Sequence, residues 1–85
     1  MMYKLSYVTM SGETVATDSE LFATKKAALL KGLVQIADGF ALNLYIQQDK
    51  KRPPEGYFFS WKKLNARLLN CDNDINQVVA EILSE

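Results

Sequence analysis

A change in hydrophobic period between residues 24 and 46 limits the folds open to this chain more than any other feature. Residues 24 to 40 carry apolar side chains at helical spacing, with polar side chains, mainly lysines, on the opposite side. From Phe40 the spacing becomes two, which is typical of a half-buried strand; the apolar positions are Phe40, Leu42, Leu44 and Ile46. We therefore predict a helix that ends near Gly39 and leads into a strand, and we expect these two elements to supply most of the core.

The segments on either side of this unit predict hairpins and further helices. Residues 2 to 10 alternate weakly, and Ser11-Gly12 favours a tight turn into a return strand at residues 14 to 17. Residues 57 to 61 are bulky and aromatic, as expected for the partner of the strand that ends near Gln48. Residues 62 to 71 fit a helix, although a short strand at 66 to 70 is nearly as compatible. From Asp72 the apolar residues return to helical spacing and predict a terminal amphipathic helix.

This element order predicts an α+β fold. It runs strand, strand, helix, strand, strand, an optional short helix and a final helix, so a mostly antiparallel sheet should carry the helices on one face. A chain of 85 residues is the size of one small domain, and we expect a single domain over residues 1–85. Thr24 should cap the first helix, and Asp74 with Gln77 resembles a capping box for the last. Gly32 in mid-helix should mark a close approach to the sheet.

Composition places the chain among ordinary globular proteins. Ten basic and ten acidic residues cancel, so no global field draws the protein to nucleic acid or to a membrane. Cys71 is the only cysteine, which excludes an intrachain disulfide and favours a reducing compartment. The first residues lack the apolar run of a signal peptide, and no apolar run is long enough to span a bilayer. We therefore expect a soluble, cytoplasmic protein without a membrane contact.

Groups that could carry catalysis are scarce. The chain has no histidine, which removes the usual general base and the commonest metal ligand. Cys71 consequently has no histidine to activate it and is better explained as a buried structural thiol. The four glycines are dispersed and form no phosphate-binding loop. We therefore expect a protein that is not an enzyme and uses no cofactor.

Four side chains near the C-terminus have the spacing of a calcium-binding loop: Asn70, Asp72, Asp74 and Glu81. The sixth position of such a loop needs glycine for its sharp turn, and Ile75 stands there. Helix capping by Asp72 or Asp74 is therefore the preferred interpretation, and no metal site is predicted.

The charge of the C-terminal half is unevenly distributed. Residues 50 to 67 carry six bases and one acid, whereas residues 68 to 85 carry four acids and no base. Aromatic residues lie within the basic stretch, and they allow two interpretations. Tyr57, Phe59 and Trp61 form a sheet face under the helices, with Phe58 over an edge, or they form a platform on which nucleic-acid bases stack. The core interpretation is favoured.

The loop from Lys50 to Gly56 is the predicted contact surface for a partner. Its two consecutive prolines keep it extended and reduce the entropy lost on binding, although a plain solvated connection would look the same. The predicted partner-binding residues are Lys50, Lys51, Arg52, Tyr57, Lys62, Lys63 and Arg67.

These residues suggest a small protein-interaction module. An inhibitor, an adaptor or an immunity-type protein, such as bacterial and phage accessory proteins often are, would suit a chain without catalytic groups. The expected partner is another protein with an acidic surface, and a homodimer through a strand edge or the aromatic face would hide surplus apolar surface. Binding of nucleic acid by residues 50 to 67 is the alternative, and it would show a steep dependence on salt.

Replacing Lys50, Lys51 and Arg52 by serine should weaken partner binding and slow association, because a cationic loop attracts an acidic surface. The melting temperature should change little, since exposed charges contribute little to folding. A pull-down from the native host with wild type and triple variant, read by mass spectrometry, measures the effect. Equal recovery of the same partners by both proteins would mean that the loop is only a connection.

Overall fold

A four-stranded antiparallel sheet carries helices on one face. The computed structural model describes residues 2–49 and 56–85. The elements in these residues are β1 (Tyr3–Val8), β2 (Thr14–Thr17), α1 (Lys25–Ala37), β3 (Asn43–Gln48), β4 (Tyr57–Phe59), α2 (Trp61–Asn70) and α3 (Ile75–Leu83). The strand order is β2-β1-β3-β4, and each neighbouring pair is antiparallel. The predicted α+β class, the antiparallel sheet and the position of the helices are confirmed.

The core lies between one sheet face and the helices. The register places Leu5 opposite Ile46 and Tyr7 opposite Leu44, so these four side chains share the face on which α1 packs. The remaining fully buried positions come mainly from the helices: Ala28, Leu29, Leu33, Leu64, Val78 and Val79. Helices α2 and α3 contact α1, and they complete the core along the flank of that helix. The helix and strand that the change in period predicts therefore meet at the centre of the molecule.

The strand after α1 begins later than the period predicts. Residues 40 to 42 precede β3, which starts at Asn43. Gly39 has a φ of 99°, and the N–H of Phe40 donates to the carbonyl oxygen of Gln35 at 3.0 Å, as in the left-handed turns that end helices. Phe40 is thus part of the helix end, and its ring packs edge-on against Tyr7, with 5.1 Å between ring centroids. The prediction that Phe40 opens the strand is wrong.

Residues 62 to 70 belong to a helix with Cys71 as its C-cap, and the alternative strand at 66 to 70 is excluded. Leu64 and Leu68 are buried one helical turn apart, so a helical segment satisfies the core where an alternating segment would not. Trp61 is the first residue of α2, so the aromatic strand stops at Phe59 and is shorter than predicted. A buried side chain on β3 explains where it stops.

Asn43 links three parts of the fold. Its side chain is buried, and its Nδ2 donates to the carbonyl oxygen of Thr9 at 3.1 Å, just after β1. Its Oδ1 accepts from the backbone N–H of Trp61 at 2.8 Å. That N–H is one of the groups that a helix start leaves without an internal partner. Asn43 therefore caps α2 from another strand and determines where the chain leaves the sheet.

The predicted caps of the other helices are present. Thr24 Oγ1 accepts from the N–H of Ala27 at 3.1 Å, and Asp74 Oδ1 accepts from the N–H of Gln77 at 3.2 Å. The return half of the capping box is missing, because the Gln77 side chain donates to Glu81 instead. Each cap satisfies one N–H that the first helical turn leaves free.

Gly32 lies where α1 comes closest to the sheet, as predicted. A methyl group on its Cα would overlap the end of the Leu44 side chain, which is fully buried on β3. Larger residues at position 32 would push α1 away from the sheet or force Leu44 into another rotamer. The glycine therefore lowers the helix propensity of α1 but allows the helix to pack close to the sheet.

Gly32→Ala should destabilise the protein by up to about 2 kcal/mol, although alanine is the better helix former. The helix gains about 1 kcal/mol, but overpacking of a filled core costs about 1–3 kcal/mol. Leu44→Val removes the δ carbons that the new methyl group would meet. In that background the effect of Gly32→Ala on the free energy of unfolding, measured by urea denaturation, should shrink or reverse. The same loss of stability in both backgrounds would contradict the predicted contact.

Candidate functional site

A groove with an apolar floor and a charged rim lies between β4 and the helices α2 and α3. It has a volume of about 280 Å³ and is called the β4 groove below. It is lined by Phe58, Phe59, Ser60, Lys63, Leu64, Arg67, Ile82 and Glu85. Three residues of the edge strand region, one helical face and the end of α3 therefore converge on one concave surface.

The pleat of β4 divides its aromatic residues. Phe59 lies opposite Leu44 on β3 and packs against the core, whereas Phe58 lies opposite Tyr45 on the face of the sheet away from the helices. The side chain of Phe58 is 56% exposed. An aromatic ring of this exposure beside a groove is a common anchor for a binding partner.

β4 is an edge strand of the sheet. Among the residues that the structure describes, no strand lies on its far side. The outer backbone groups of an edge strand are a template on which another extended segment can add. The β4 groove therefore combines a strand edge with a neighbouring apolar channel.

Two lysines beside this edge have no counter-charge within the described part of the chain. Lys62 and Lys63 lie in the first turn of α2, and both are exposed. Neither makes an ion pair with any residue in 2–49 or 56–85. Their position is unfavourable for α2 itself, because the helix dipole repels cations at the N-terminus by a few tenths of a kcal/mol each. Their charge is thus available to a partner.

Arg67 differs from these lysines because its charge is compensated within the chain. Its guanidinium lies 4.0 Å from Glu81 Oε1 and forms a hydrogen-bonded ion pair with Glu85. Glu81 in α3 and Glu85 after it thus both pair with a basic residue of α2. Arg67 lines the groove mainly as part of this pair.

Tyr57 is engaged with a residue that the sequence does not associate with it. Its side chain is 48% exposed, and Lys25 Nζ lies 3.9 Å from the centroid of its ring. This cation–π contact stabilises by about 0.5–1 kcal/mol at an exposed site. It occupies one face of the ring, which a stacked base would otherwise use.

The structure brings part of the predicted site together. Lys63 and Arg67 line the β4 groove, while Tyr57 and Lys62 lie on the elements that border it. Lys50, Lys51 and Arg52 lie outside the described residues. Phe58 and Glu85 also line the groove but are not among the predicted partner-binding residues. The alternation of a strand does predict that Phe58 lies on the other face from Tyr57 and Phe59. Nothing in the sequence pointed to Lys25, which is distant along the chain.

The aromatic segment follows neither sequence interpretation completely. Phe59 and Trp61 pack against the core, as the core interpretation predicts. Trp61 does so from α2, however, so the predicted common sheet face of Tyr57, Phe59 and Trp61 is not formed. The hydrogen bond to Asn43 turns the chain into a helix before that residue. Tyr57 and Phe58 remain as the exposed pair.

The residues of the acidic turn before α3 support the local backbone conformation. Asp72 and Asn73 have φ values of 52° and 62°, a left-handed conformation that aspartate and asparagine tolerate better than most residues. Asp74 caps α3. Within residues 2–49 and 56–85, no group of three or more His, Cys, Asp or Glu side chains could hold a metal ion. In the same residues, the helices are too short or too polar to cross a bilayer.

Cys71 is buried at the end of α2 beside a carboxylate. Its Sγ lies 3.8 Å and 3.7 Å from the two carboxylate oxygens of Glu81. Burial raises the pKa of the thiol above its ordinary value, and the negative charge of Glu81 and its hydrogen bond raise this pKa further. A reactive cysteine needs an environment that lowers the pKa of its thiol. Cys71 has the reverse, so it is a buried structural thiol.

Similarity to other proteins does not identify the role of the groove. Protein-family models do not match the chain, and neither curated proteins nor solved structures give a match. Its role must therefore be inferred from its shape, its charges and its edge strand.

Glu81→Gln should make Cys71 more reactive. The substitution removes the nearest negative charge, which lowers the pKa of the thiol and increases the thiolate fraction at a given pH. Glu85→Gln is the matched control, because Glu85 also pairs with Arg67 but does not raise the pKa of Cys71. The alkylation rate by iodoacetamide, followed across mildly alkaline pH, should move to lower pH for Glu81→Gln alone. Superimposed profiles for all three proteins would contradict this account of the thiol.

Proposed function

We propose that the protein is a non-enzymatic interaction module that binds an acidic and partly apolar segment of another protein in the β4 groove. The observation that carries the proposal is the combination, along the edge strand β4, of the exposed Phe58 on one side and the apolar groove with Lys63 on the other, where Lys63 has no ion-pair partner among the described residues. An inhibitor, an adaptor or an immunity-type protein would act in this way, by occupying a surface of its target.

The mode of binding follows from the edge strand. An extended segment that adds to β4 gains main-chain hydrogen bonds, and its alternate side chains face the groove. An apolar side chain would cover Phe59, Leu64 and Ile82, and a carboxylate beside it would reach Lys63. A strand of only three residues offers a short ladder, so we expect a weak or transient contact, in the small class of interfaces below about 1,200 Å².

Internal contacts of the basic residues favour protein over nucleic acid as the partner. A surface that follows a phosphate backbone needs several free cations and aromatic faces that bases can stack on. Arg67 is paired with two carboxylates, and Lys25 covers one face of Tyr57. The free cations beside the groove, within the part of the chain that the structure describes, are Lys62 and Lys63.

Replacing Phe58, Lys62 and Lys63 together by serine should reduce partner recovery about tenfold or more, equivalent to about 1.4 kcal/mol of binding free energy. The matched control replaces Leu69, Lys4 and Lys26 by serine, which removes one exposed leucine and two lysines from surfaces outside the groove. A pull-down with isotope-labelled quantification compares the two variants with wild type. Melting temperatures of all three proteins establish that they are folded.

The control variant should keep its partners. Equal losses in the two variants, or none in either, would overturn the β4 groove as the binding surface. Anisotropy titrations of the same proteins against single- and double-stranded DNA and RNA at low salt examine the alternative. Binding that falls steeply with salt and is lost in the groove variant would favour a nucleic-acid partner instead.

A further inference from the structure

The opposite edge of the sheet also has no further strand beside it in the described residues, and it has the opposite charge. β2 is the other terminal strand of the sheet, and its four residues, Thr14 to Thr17, are exposed and uncharged. Glu13 precedes β2, and Asp18 and Glu20 follow it, so residues 13 to 20 carry three acids and no base. Glu13 and Glu20 are exposed, and neither forms an ion pair with a residue that the structure describes.

Both edge strands are short, with four residues in β2 and three in β4, but within the described residues neither has the other usual protections against strand addition. Proteins normally place lysine or proline in such strands, or they cover the edge with another element. β2 has the sequence Thr-Val-Ala-Thr and β4 the sequence Tyr-Phe-Phe, so neither contains a charge or a proline. The charges stand at the ends of these strands instead: acids flank β2, and Lys62 and Lys63 follow β4. Because neither strand contains a charge, the charges at the strand ends influence which segment adds to each edge.

The charges distinguish the ways in which two copies could meet. Antiparallel pairing of β2 with β2 brings Glu13 of each copy near the acids that follow β2 in the other, whereas antiparallel pairing of β4 with β4 places the lysines of the two copies at opposite ends of the pair. The β2 pair therefore places like charges close to each other, which is unfavourable, and the β4 pair gains no attraction between charges of the described residues. Antiparallel pairing of β2 with β4 places Glu13 of one copy near Lys62 and Lys63 of the other, because the start of β2 then lies beside the end of β4; Glu20 lies at the other end of the pair.

We propose that copies of this chain associate head to tail, with β2 of one copy adding to β4 of the next. The proposal rests on the proposed function in one respect, since it uses the same β4 groove as a binding surface. The occupant is a second copy, because the chain itself carries an exposed, uncharged strand with acidic flanks that matches the groove. The contact is heterologous, so it forms an open chain, or a ring if the rotation closes, and does not stop at a two-fold dimer.

The association should be weak and sensitive to salt. Strands of three and four residues bury a small area, so dissociation constants of about 10 µM to 1 mM are expected. Exposed charges are screened over about 8 Å at physiological ionic strength. The weight-average mass should therefore rise with protein concentration, and this rise should become smaller as salt is added.

Charge reversal tests the two edges separately. Glu13→Lys with Glu20→Lys makes the β2 edge basic, and Lys62→Glu with Lys63→Glu makes the β4 edge acidic. Each double variant has like charges on both edges, so its mass by analytical ultracentrifugation should stay at the monomer value where wild type associates. The quadruple variant has both changes and keeps the formal net charge of zero. Its edges are complementary again, so it should recover association within about threefold of wild type.

Several outcomes would overturn the head-to-tail contact. These are a wild-type monomer at about 1 mM in low salt, a mass that saturates at the dimer, or double variants that associate as wild type does. A quadruple variant that stays monomeric, although circular dichroism shows it to be folded, would also overturn the head-to-tail contact. Partner recovery distinguishes this failure from that of the proposed function. Glu13→Lys with Glu20→Lys should keep the partner, because it leaves the β4 groove unchanged.

Discussion

The two hydrogen bonds of the Asn43 side chain hold the arrangement around the candidate site. This amide is buried, so removal of either bond would leave a polar group in the interior without a partner, at about 1–3 kcal/mol. One bond reaches the end of β1 and the other reaches the first residue of α2. Because the second bond turns the chain out of the sheet after Phe59, it places Lys63 next to β4. The position of the groove therefore depends on the two hydrogen bonds of the buried Asn43 side chain.

The fold redistributes the charges of the C-terminal half. Along the chain, a basic segment is followed by an acidic one. The hairpin of α2 and α3 brings Glu81 and Glu85 back to Arg67, and helix α1 brings Lys25 to Tyr57. Lys62 and Lys63 are left without counter-charges among the described residues. Within the described residues, the unpaired positive charge beside β4 is therefore limited to these two lysines, and it lies next to an apolar channel.

A sheet with one helical layer leaves much of its surface open. One face is covered by helices, while the other carries Lys4, Ser6, Tyr45 and Phe58 across neighbouring strands. The two terminal strands, β2 and β4, have no neighbour beyond them in the described residues. These open edges are the features on which both the proposed partner binding and the proposed self-association depend.

The sequence by itself determined the α+β class, the helices α1 and α3, the caps at Thr24 and Asp74, and the close approach at Gly32, because these depend on period, capping and residue size within a few turns. It also located the basic and aromatic region that contains part of the groove. Only the tertiary structure decided that β4 ends at Phe59, that Phe40 belongs to the end of α1, and which cations are paired within the chain. Those outcomes depend on contacts between residues far apart in the chain. Strand register and helix packing create such contacts, and no local pattern encodes them.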